Sequence, residues 1–370
     1  MRHVCTVFPH AVHTQRMAAR DAFHHASRVG QWFRSAPSPC LHRGNGTLRT
    51  LECATDRIHA LDARNGVTRF FRWSVPLIVD VKPRVEDVIS QVWRTLAVLF
   101  VWDVLITIIY YVLPFRAPAL PLTIFGSALA LFLGFRANST YQRWWEGRVL
   151  WGQMINASRN LVRLSVSILS TPEAGDLGRT IALRQIAYVN ALRCQLRRLP
   201  VVMALSPHVD ADEAAAVVVR TNVANGLLDT TARSVEQARR EGWIDSIQQA
   251  SVERILVDIA NAQGGMERLK NTPLPYQYRF YPNLFTRLFC VLLPIGLVET
   301  LQYATPVGST VAGLMFLAVL KIGDELVDPF ANTIHDLPLD TMCRTVEIDA
   351  LQAIGEQAPE PMQPVDGVLW

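Results

Sequence analysis

A run of residues without any charge, Leu120–Phe135, continues with no turn signal into a charged, tryptophan-rich stretch that begins at Arg136. This stretch contains the adjacent pair Trp144 and Trp145 together with further arginines. Arginine and tryptophan are both favoured where a membrane-spanning helix meets water. The seam therefore predicts one helix that crosses a membrane and projects from it. The chain is then an integral membrane protein with a large domain outside the bilayer.

Composition supports a chain that is only partly embedded. Of the 370 residues, 50% are hydrophobic and 18% are charged, which is apolar for a soluble protein and polar for one that lies wholly in a membrane. The net charge is +4 and the arginines are spread along the sequence, so we expect no nucleic-acid partner. The cysteines form no C-x-x-C motif, which predicts free thiols in place of a disulfide framework or a zinc site.

The sequence lacks the common motifs of covalent chemistry. It has no G-x-x-x-x-G-K-[ST], H-E-x-x-H, G-x-S-x-G or G-x-G-x-x-G, so we expect neither an enzyme nor a cofactor. An acidic group with a histidine follows the last apolar segment, and it consists of Glu325, Asp328, His335, Asp336 and Asp340. These residues could hold a hard cation, but the prolines beside them favour a role in capping helix starts. No metal site is predicted.

Four apolar segments account for the membrane part, and they are Trp93–Leu113, Leu120–Phe135, Leu284–Tyr303 and Val307–Ile322. Each is near the lower limit of about 17 residues for a spanning helix, so we expect interfacial residues to extend the helices. Short connections join them into two hairpins. Basic residues cluster before the first segment, after the second and before the third, which places both termini and the middle of the chain in the cytosol.

The long middle of the chain reads as helical, because apolar residues recur there at steps of three and four and strand alternation is absent. Proline and glycine predict breaks at Thr171-Pro172, Ser206-Pro207, Gly242, Gly264-Gly265 and Thr272-Pro273. The predicted fold is therefore an all-α integral membrane protein with four transmembrane helices and a large helical cytosolic domain. We expect a multi-pass protein of the bacterial inner membrane in preference to an organellar membrane.

The predicted organisation follows these boundaries. Residues 1–65 are an arginine- and histidine-rich tail that we expect to be disordered, and that reads either as a transit peptide or as the product of a start codon placed too far upstream. The remaining parts are a cytosolic helix region (66–92), a first transmembrane hairpin (93–136), the helical cytosolic domain (137–283), a second transmembrane hairpin (284–323) and a cytosolic C-terminal segment (324–370).

Several separated motifs resemble those of one family, in the same order. The longest is Phe132-Leu133-Gly134-Phe135-Arg136-x-Asn138-x-x-Tyr141-x-Arg143-x-x-Glu146-x-Arg148-x-x-Trp151-Gly152. The others are Gly264-Gly265-x-Glu267-Arg268-Leu269 with Thr272-Pro273-x-Pro275, Leu292-Leu293-Pro294, and Asp328-Pro329-Phe330 with Asp336-Leu337-Pro338-Leu339-x-x-Met342-Cys343. Together they resemble the bestrophin family, especially its bacterial branch, over about Phe70–Ala353.

The resemblance implies an ion channel of five identical subunits around one central pore. Matching the Gly-Phe-Arg motif places a narrow neck at Ser127, Leu131 and Phe135, and aligning Gly242 places a second constriction at Ile247 near the cytosolic exit. The spacing of four puts the three neck residues on one helix face, as the sequence itself requires. A narrow apolar ring offers an ion no substitute for its hydration and so gates by dewetting.

Two departures from the family pattern modify this expectation. Ser127 stands where a bulky apolar residue is usual, so the outer ring should be wider or wetter. Eukaryotic members bind calcium just before the position of Asp328, but Leu326 and Val327 interrupt the acidic run here, so we predict no calcium activation.

Several alternatives stay open at this level. The expected partners are the lipid bilayer, other copies of the chain and monovalent ions, with chloride favoured by the family and Na⁺ or K⁺ as the alternative. A secondary transporter or a membrane scaffold are the rival functions. Asp103 is an acid within the first apolar segment and is either functional or bonded to a neighbouring helix. Arg143, Glu146 and Arg148 could form an ion path at the membrane exit, but we favour a structural network, because Arg143 and Glu146 are three residues apart on one helix face and are predicted to pair.

Overall fold

A computed structural model describes residues 85–113, 118–169, 172–365 and 369, and the regular secondary structure in those ranges is helical. The predicted tail 1–65 and residues 66–84 of the predicted helix region 66–92 lie outside the described residues. The ten α-helices of these ranges are α1 (Val85–Val112), α2 (Leu122–Ile168), α3 (Leu177–Arg197), α4 (Val202–Leu205), α5 (Ala211–Val218), α6 (Val223–Arg240), α7 (Ser246–Asn271), α8 (Tyr276–Leu301), α9 (Thr305–Glu325) and α10 (Leu339–Ala353).

Helix α2 runs without interruption through the seam at Arg136, as the sequence predicts. Its 47 residues correspond to about 70 Å at the α-helical rise, which is roughly twice the thickness of a bilayer core. The first part packs among apolar helices, and the second part packs in the polar domain formed with α3 to α7 and α10. One rigid element therefore connects the two parts of the molecule.

The four predicted apolar segments correspond to parts of α1, α2, α8 and α9, with one or two residues beyond the helix ends in the first three, and these helices pack around one apolar cluster. Its buried members are Val92, Leu129, Leu133, Phe289, Leu293, Leu317 and Leu320. Within the described residues, three stretches of helix are long and apolar enough to cross a membrane: Ser90–Val112, Leu122–Ile168 and Tyr276–Glu325. The third contains both α8 and α9 and folds back at Gln302–Ala304, which brings the rings of Phe289 and Phe316 to 5.1 Å between centroids.

The pair α8 and α9 lies against both α1 and α2. From α1, the Trp102 indole nitrogen donates to the carbonyl oxygen of Val291 on α8 at 3.0 Å. From α2, Gly126 faces the ring of Phe289, and a Cβ at that glycine would be 3.3 Å from the ring. The second hairpin is thus the main support of the two helices that precede the polar domain.

The polar domain has a large buried core that includes Trp151 and Met154 of α2, Ile181 and Leu192 of α3, and Ile259 of α7. All five side chains are fully buried. Core positions recur at helical spacing along each of these helices, which is why the periodicity of the sequence predicted the domain to be helical.

The predicted break at Gly264-Gly265 is wrong, because α7 continues through both glycines. Gly265 lies against Leu150 of α2, and a Cβ there would approach the Leu150 Cδ2 atom to 2.7 Å. Gly265 therefore lacks a side chain because two helices approach closely there, and not because the chain turns. The chain does leave helical structure at Gly242, whose φ is +77°, and after Asn271.

The buried thiol of Cys343 should resist alkylation in the folded protein. Cys343 is 2% exposed and its Sγ atom donates to the carbonyl oxygen of Val189 at 3.4 Å. Burial raises the pKa of the Cys343 thiol to about 12, so almost no reactive thiolate exists at neutral pH. Peptide mapping after treatment with N-ethylmaleimide at pH 7.5 should find Cys343 unmodified, and fully modified once the chain is unfolded in guanidinium. Rapid labelling of the native protein would contradict this burial.

Candidate functional site

The predicted neck residues lie together on one face of α2 that no other helix covers within the described part of the chain. Leu131 is 62% exposed and Phe135 is 61% exposed, although both are large and apolar. Ser127 is also exposed, and its hydroxyl donates to the carbonyl oxygen of Thr123 at 2.6 Å, so that its donor is satisfied within its own helix. The three side chains form a stripe that we call the α2 stripe.

The opposite face of the same turns is buried. Leu129 is 5% exposed and Leu133 is 3% exposed, and both belong to the apolar cluster with α8 and α9. Burying these two positions fixes the rotation of α2 about its axis. The fixed rotation turns Leu131 and Phe135 away from the rest of the chain.

The face that carries the α2 stripe becomes polar immediately after Phe135. Asn138 and Gln142 continue it, because they are three and seven residues further along the helix, and both are exposed. Neither carries a formal charge. An apolar ring followed by amide side chains would offer a path that is dry at the neck and wet beyond it.

Ile247 is far from the α2 stripe. It lies in the first turn of α7, where Asp245 and Gln248 form a capping box with distances of 2.7 and 2.9 Å, and it is 76% exposed. Helices α7 and α2 are antiparallel, because Arg268 pairs with Glu146 while Gly265, earlier on α7, lies against Leu150, later on α2. The helical rise then places Ile247 roughly 50 Å from Phe135 along α2.

A buried ion pair adjoins the stripe, and no sequence motif indicated it. The guanidinium of Arg136, which is 1% exposed, pairs with the Asp324 carboxylate of α9 and donates to the carbonyl oxygen of Leu320 at 3.2 Å. Its Nε has no hydrogen-bond partner among the described residues. The pair joins the residue directly after Phe135 to the end of α9. Separated by 188 positions, the partners could be found only from the packing.

The predicted pairing of Arg143 with Glu146 is wrong. Arg143 instead donates to two carbonyl oxygens, that of Val327 at 3.2 Å and that of Leu269 at 2.7 Å. Glu146 pairs with Arg268 of α7. Both contacts join α2 to other segments of the fold, so tertiary partners have displaced the neighbour on the same helix. The structural role that we expected for these residues is retained with different partners.

The acidic group after α9 does not cap helix starts, and that prediction is wrong. The carboxylate of Asp328 accepts from Lys270 at 2.7 Å and from the Phe330 N–H at 3.1 Å, and that of Asp336 accepts from the Thr333 N–H at 2.8 Å. Helix α10 begins after Pro338, with no side-chain cap. These carboxylates instead hold an irregular segment in place.

The remaining members of the group also have partners. Asp340 pairs with Arg193 and with Arg197, the latter at 2.7 Å, and His335 lies 3.2 Å from Glu325. Burial raises the pKa of Asp336, while its hydrogen bonds from Thr333 act in the opposite direction. Among the described residues there is no group of three or more His, Cys, Asp and Glu side chains placed to hold a metal ion.

Asp103 bonds to a neighbouring helix, as one of the two sequence-based interpretations predicted. It is 1% exposed, and its Oδ2 atom accepts from the Thr310 hydroxyl of α9 at 3.1 Å, whereas Oδ1 has no partner among the described residues. The Thr107 hydroxyl donates to the Asp103 backbone carbonyl at 2.7 Å, which is a local contact within α1.

Replacing Thr310 with valine should therefore cost more stability than the same change at Thr107. Thr310→Val removes a donor from a buried carboxylate and should lower the free energy of unfolding by about 1–3 kcal/mol. Thr107→Val removes a hydroxyl whose acceptor, the Asp103 backbone carbonyl, still accepts a hydrogen bond within the helix. It should therefore lower the free energy of unfolding by less than about 1 kcal/mol. Thermal unfolding of both variants in the same detergent tests the difference, and equal losses would show that the α1 to α9 bond contributes nothing.

The sequence of this chain is similar to those of one protein family. The family model described as Bacterial/Fungal Bestrophin protein matches residues 76–352. The voltage-dependent anion channel-forming protein YneE of Salmonella typhi is 35% identical over 274 residues, which are 73% of this chain and 89% of that protein. YneE of Escherichia coli K12 is 37% identical over 63% of this chain and 75% of that protein.

The solved structures agree with the sequences. A crystal structure of a bacterial bestrophin homologue from Klebsiella pneumoniae superimposes with a TM-score of 0.67 at 31% sequence identity, and the match covers 71% of this chain and 98% of that one. The resemblance that the separated motifs indicated thus holds for both the sequence and the fold.

Proposed function

The chain belongs to the bacterial and fungal bestrophin family, and from that membership we propose that it is a membrane channel for anions. Two observations support the proposal. Relatives that are 35% identical to this chain are named voltage-dependent anion channel-forming proteins, and the match covers 89% of the Salmonella typhi protein. Helical stretches long and apolar enough to cross a membrane are present. Monovalent anions, with chloride as the representative, are the proposed ions.

We propose that the α2 stripe is the neck of the pore. The observation that carries this proposal is the exposure of Leu131 and Phe135 on a helix whose opposite face is buried. An apolar face can also lie against lipid, but this one continues into exposed amides at Asn138 and Gln142 on the same side of the same helix. Such a sequence of surfaces fits a path from a dry gate into water better than contact with lipid.

The pore needs several copies of the chain, and we propose a homopentamer with α2 nearest the axis. Each ring of the neck would then contain five identical side chains. Ile247, exposed at the start of α7 and about 50 Å further along by the helical rise, would form the second constriction at the cytosolic exit. The serine ring at Ser127 would be the widest and wettest of the neck, so the gate would consist mainly of the Leu131 and Phe135 rings.

The proposed topology places α1, the first part of α2, α8 and α9 across a bacterial inner membrane, with the polar domain and both termini in the cytosol. The arginines and lysines beside the apolar helices support this orientation. Calcium is not a proposed activator. Of the three carboxylates near the family's calcium position, Asp324 and Asp328 are engaged by Arg136 and Lys270, and Glu325 lies 3.2 Å from His335.

Reconstitution into planar bilayers under a gradient of potassium chloride tests the proposal. Unitary currents with a reversal potential near the chloride equilibrium potential are expected. A reversal potential near that of potassium would show the cation-selective alternative. Coupled uptake without unitary events would indicate a transporter. Silence together with a mass that is not pentameric would indicate a scaffold.

A further inference from the structure

A cavity of about 650 Å³ lies where the apolar helices meet the polar domain, on the side of α9 that faces α1 and α8. We call it the basal cavity. Gln91 of α1, Arg279 and Asn283 of α8, and Lys321, Asp324 and Glu325 of α9 line it, together with six residues of the segment that follows α9: Val327, Asp328, Ala331, Thr333, Ile334 and His335. Its volume exceeds what a single ion and its hydration need, and falls in the range of small-molecule sites.

The charges around the basal cavity are not balanced within the lining. Of its three carboxylates, Asp324 pairs with Arg136 and Asp328 with Lys270 at 2.7 Å, whereas Glu325 lies 3.2 Å from His335, a side chain that is charged only when protonated. By contrast, the Arg279 guanidinium and the Lys321 ammonium have no ion pair in the part of the chain that the structure describes. The two positive charges of Arg279 and Lys321 therefore exceed the one carboxylate charge of the lining, that of Glu325, that has no arginine or lysine partner.

The available cations favour an anion as that occupant. Arg279 presents a planar fork of donors and Lys321 a compact charge, a combination that suits the oxygens of a phosphate group. The neutral side chains of Gln91, Asn283 and Thr333 also line the cavity and can donate further hydrogen bonds. A divalent cation would meet two positive side chains and is disfavoured by the same reasoning.

The depth of the basal cavity points to a lipid as the source of the phosphate. Arg279 and Asn283 directly precede the apolar part of α8, and Lys321 is in the last turns of α9, so the lining lies at the level where lipid headgroups are found. Exposed aromatic side chains surround the start of α8 at Tyr276, Tyr278, Phe280 and Tyr281. Tyrosine is typical of that interface, and basic pockets between helices at that depth bind lipid headgroups.

We propose that the basal cavity binds the phosphate group of an anionic membrane lipid, with Arg279 and Lys321 as its charged ligands. Binding itself does not depend on the proposed channel activity. A regulatory consequence does rest on that activity: Asp324, which pairs with the residue after Phe135, also lines the cavity. An occupied cavity would fix the end of α9 and, through Arg136, the inner end of the neck.

The binding test uses the purified full chain in detergent with water-soluble dioctanoyl-phosphatidylglycerol. At saturation, native mass spectrometry should show one molecule of this lipid bound to each subunit. Dioctanoyl-phosphatidylcholine should show no comparable binding. In Arg279→Gln/Lys321→Gln the dissociation constant should rise at least about tenfold, since two charge-assisted hydrogen-bonding groups are lost. Arg94→Gln is the matched control, because Arg94 is an exposed arginine near the same end of α1 that does not line the cavity.

Each outcome decides the assignment. Equal binding of the two lipids to the unaltered protein overturns it, and this comparison needs no variant to fold. Equal loss of affinity in Arg94→Gln and in the double variant also overturns it, as does binding of inorganic phosphate with the same affinity as the lipid. Lipid binding without currents would remove the channel proposal and leave the cavity assignment intact. Currents without lipid binding would remove the cavity assignment and leave the channel proposal intact.

Discussion

Replacing Leu131 with alanine should raise the ionic current through reconstituted protein by roughly tenfold, since a barrier lowered by ~1.4 kcal/mol gives that factor. In the proposed pentamer the change replaces five isobutyl groups of one ring with methyl groups, which widens the ring and makes it easier to wet. Leu131 is 62% exposed in the single chain, so truncation should leave the stability of each subunit almost unchanged. The measurement is single-channel conductance and open probability in planar bilayers.

Leu133→Ala is the matched control for this prediction. It removes the same atoms two residues away, but from a side chain that is 3% exposed within the apolar cluster. It should lower the free energy of unfolding by about 2–5 kcal/mol through the cavity it creates, with no comparable gain in current. If Leu131→Ala leaves the current unaltered, or if Leu133→Ala raises it equally, Leu131 has no part in the gate.

Asp324→Asn should lower the free energy of unfolding by about 3 kcal/mol, at the lower end of what removing one partner of a buried ion pair costs. Arg136 is 1% exposed and would keep its charge without a counter-ion, whereas Asp324 is 34% exposed, which places the cost at that lower end. Chemical or thermal unfolding of the purified protein in detergent measures it.

Two further variants separate the lost partner from a general effect of neutralising a carboxylate. Arg136→Met combined with Asp324→Leu removes both charges and should recover most of the stability, because no unpaired charge stays buried. Glu356→Gln disrupts an exposed pair, in which the Glu356 side chain is 36% exposed and the Arg179 side chain is 49% exposed. It should lower the free energy of unfolding by less than about 1 kcal/mol. A double variant no more stable than Asp324→Asn would mean that the ion pair is not the cause.

Patterns within a few turns of helix were enough to predict most of the architecture. The apolar segments, the continuation of α2 through Arg136 and the helical polar domain all follow from periodicity and from runs without charge. The glycine pair at Gly264 shows where such a pattern misleads. Glycine marks a turn in one setting and a close contact of two helices in another, and only the position of Leu150 distinguishes them.

The same distinction between local pattern and tertiary contact applies to the candidate site. The spacing of Ser127, Leu131 and Phe135 along the chain is enough to place them on one helix face. The fold then supplies what spacing cannot, namely that this face is left uncovered while Leu129 and Leu133 are buried. Whether the face encloses a pore stays a prediction for the conductance measurements.

Local composition and the order of its motifs specify that this protein is helical, where its apolar helices lie and to which family it belongs. The polar partners depend on the tertiary fold: Arg136 pairs with Asp324, Arg143 bonds to two backbone carbonyls, and Arg279 and Lys321 meet at the basal cavity. The physical reason is distance along the chain. A charge is matched by whatever group packing brings near it, and over nearly 190 positions no local rule specifies that group.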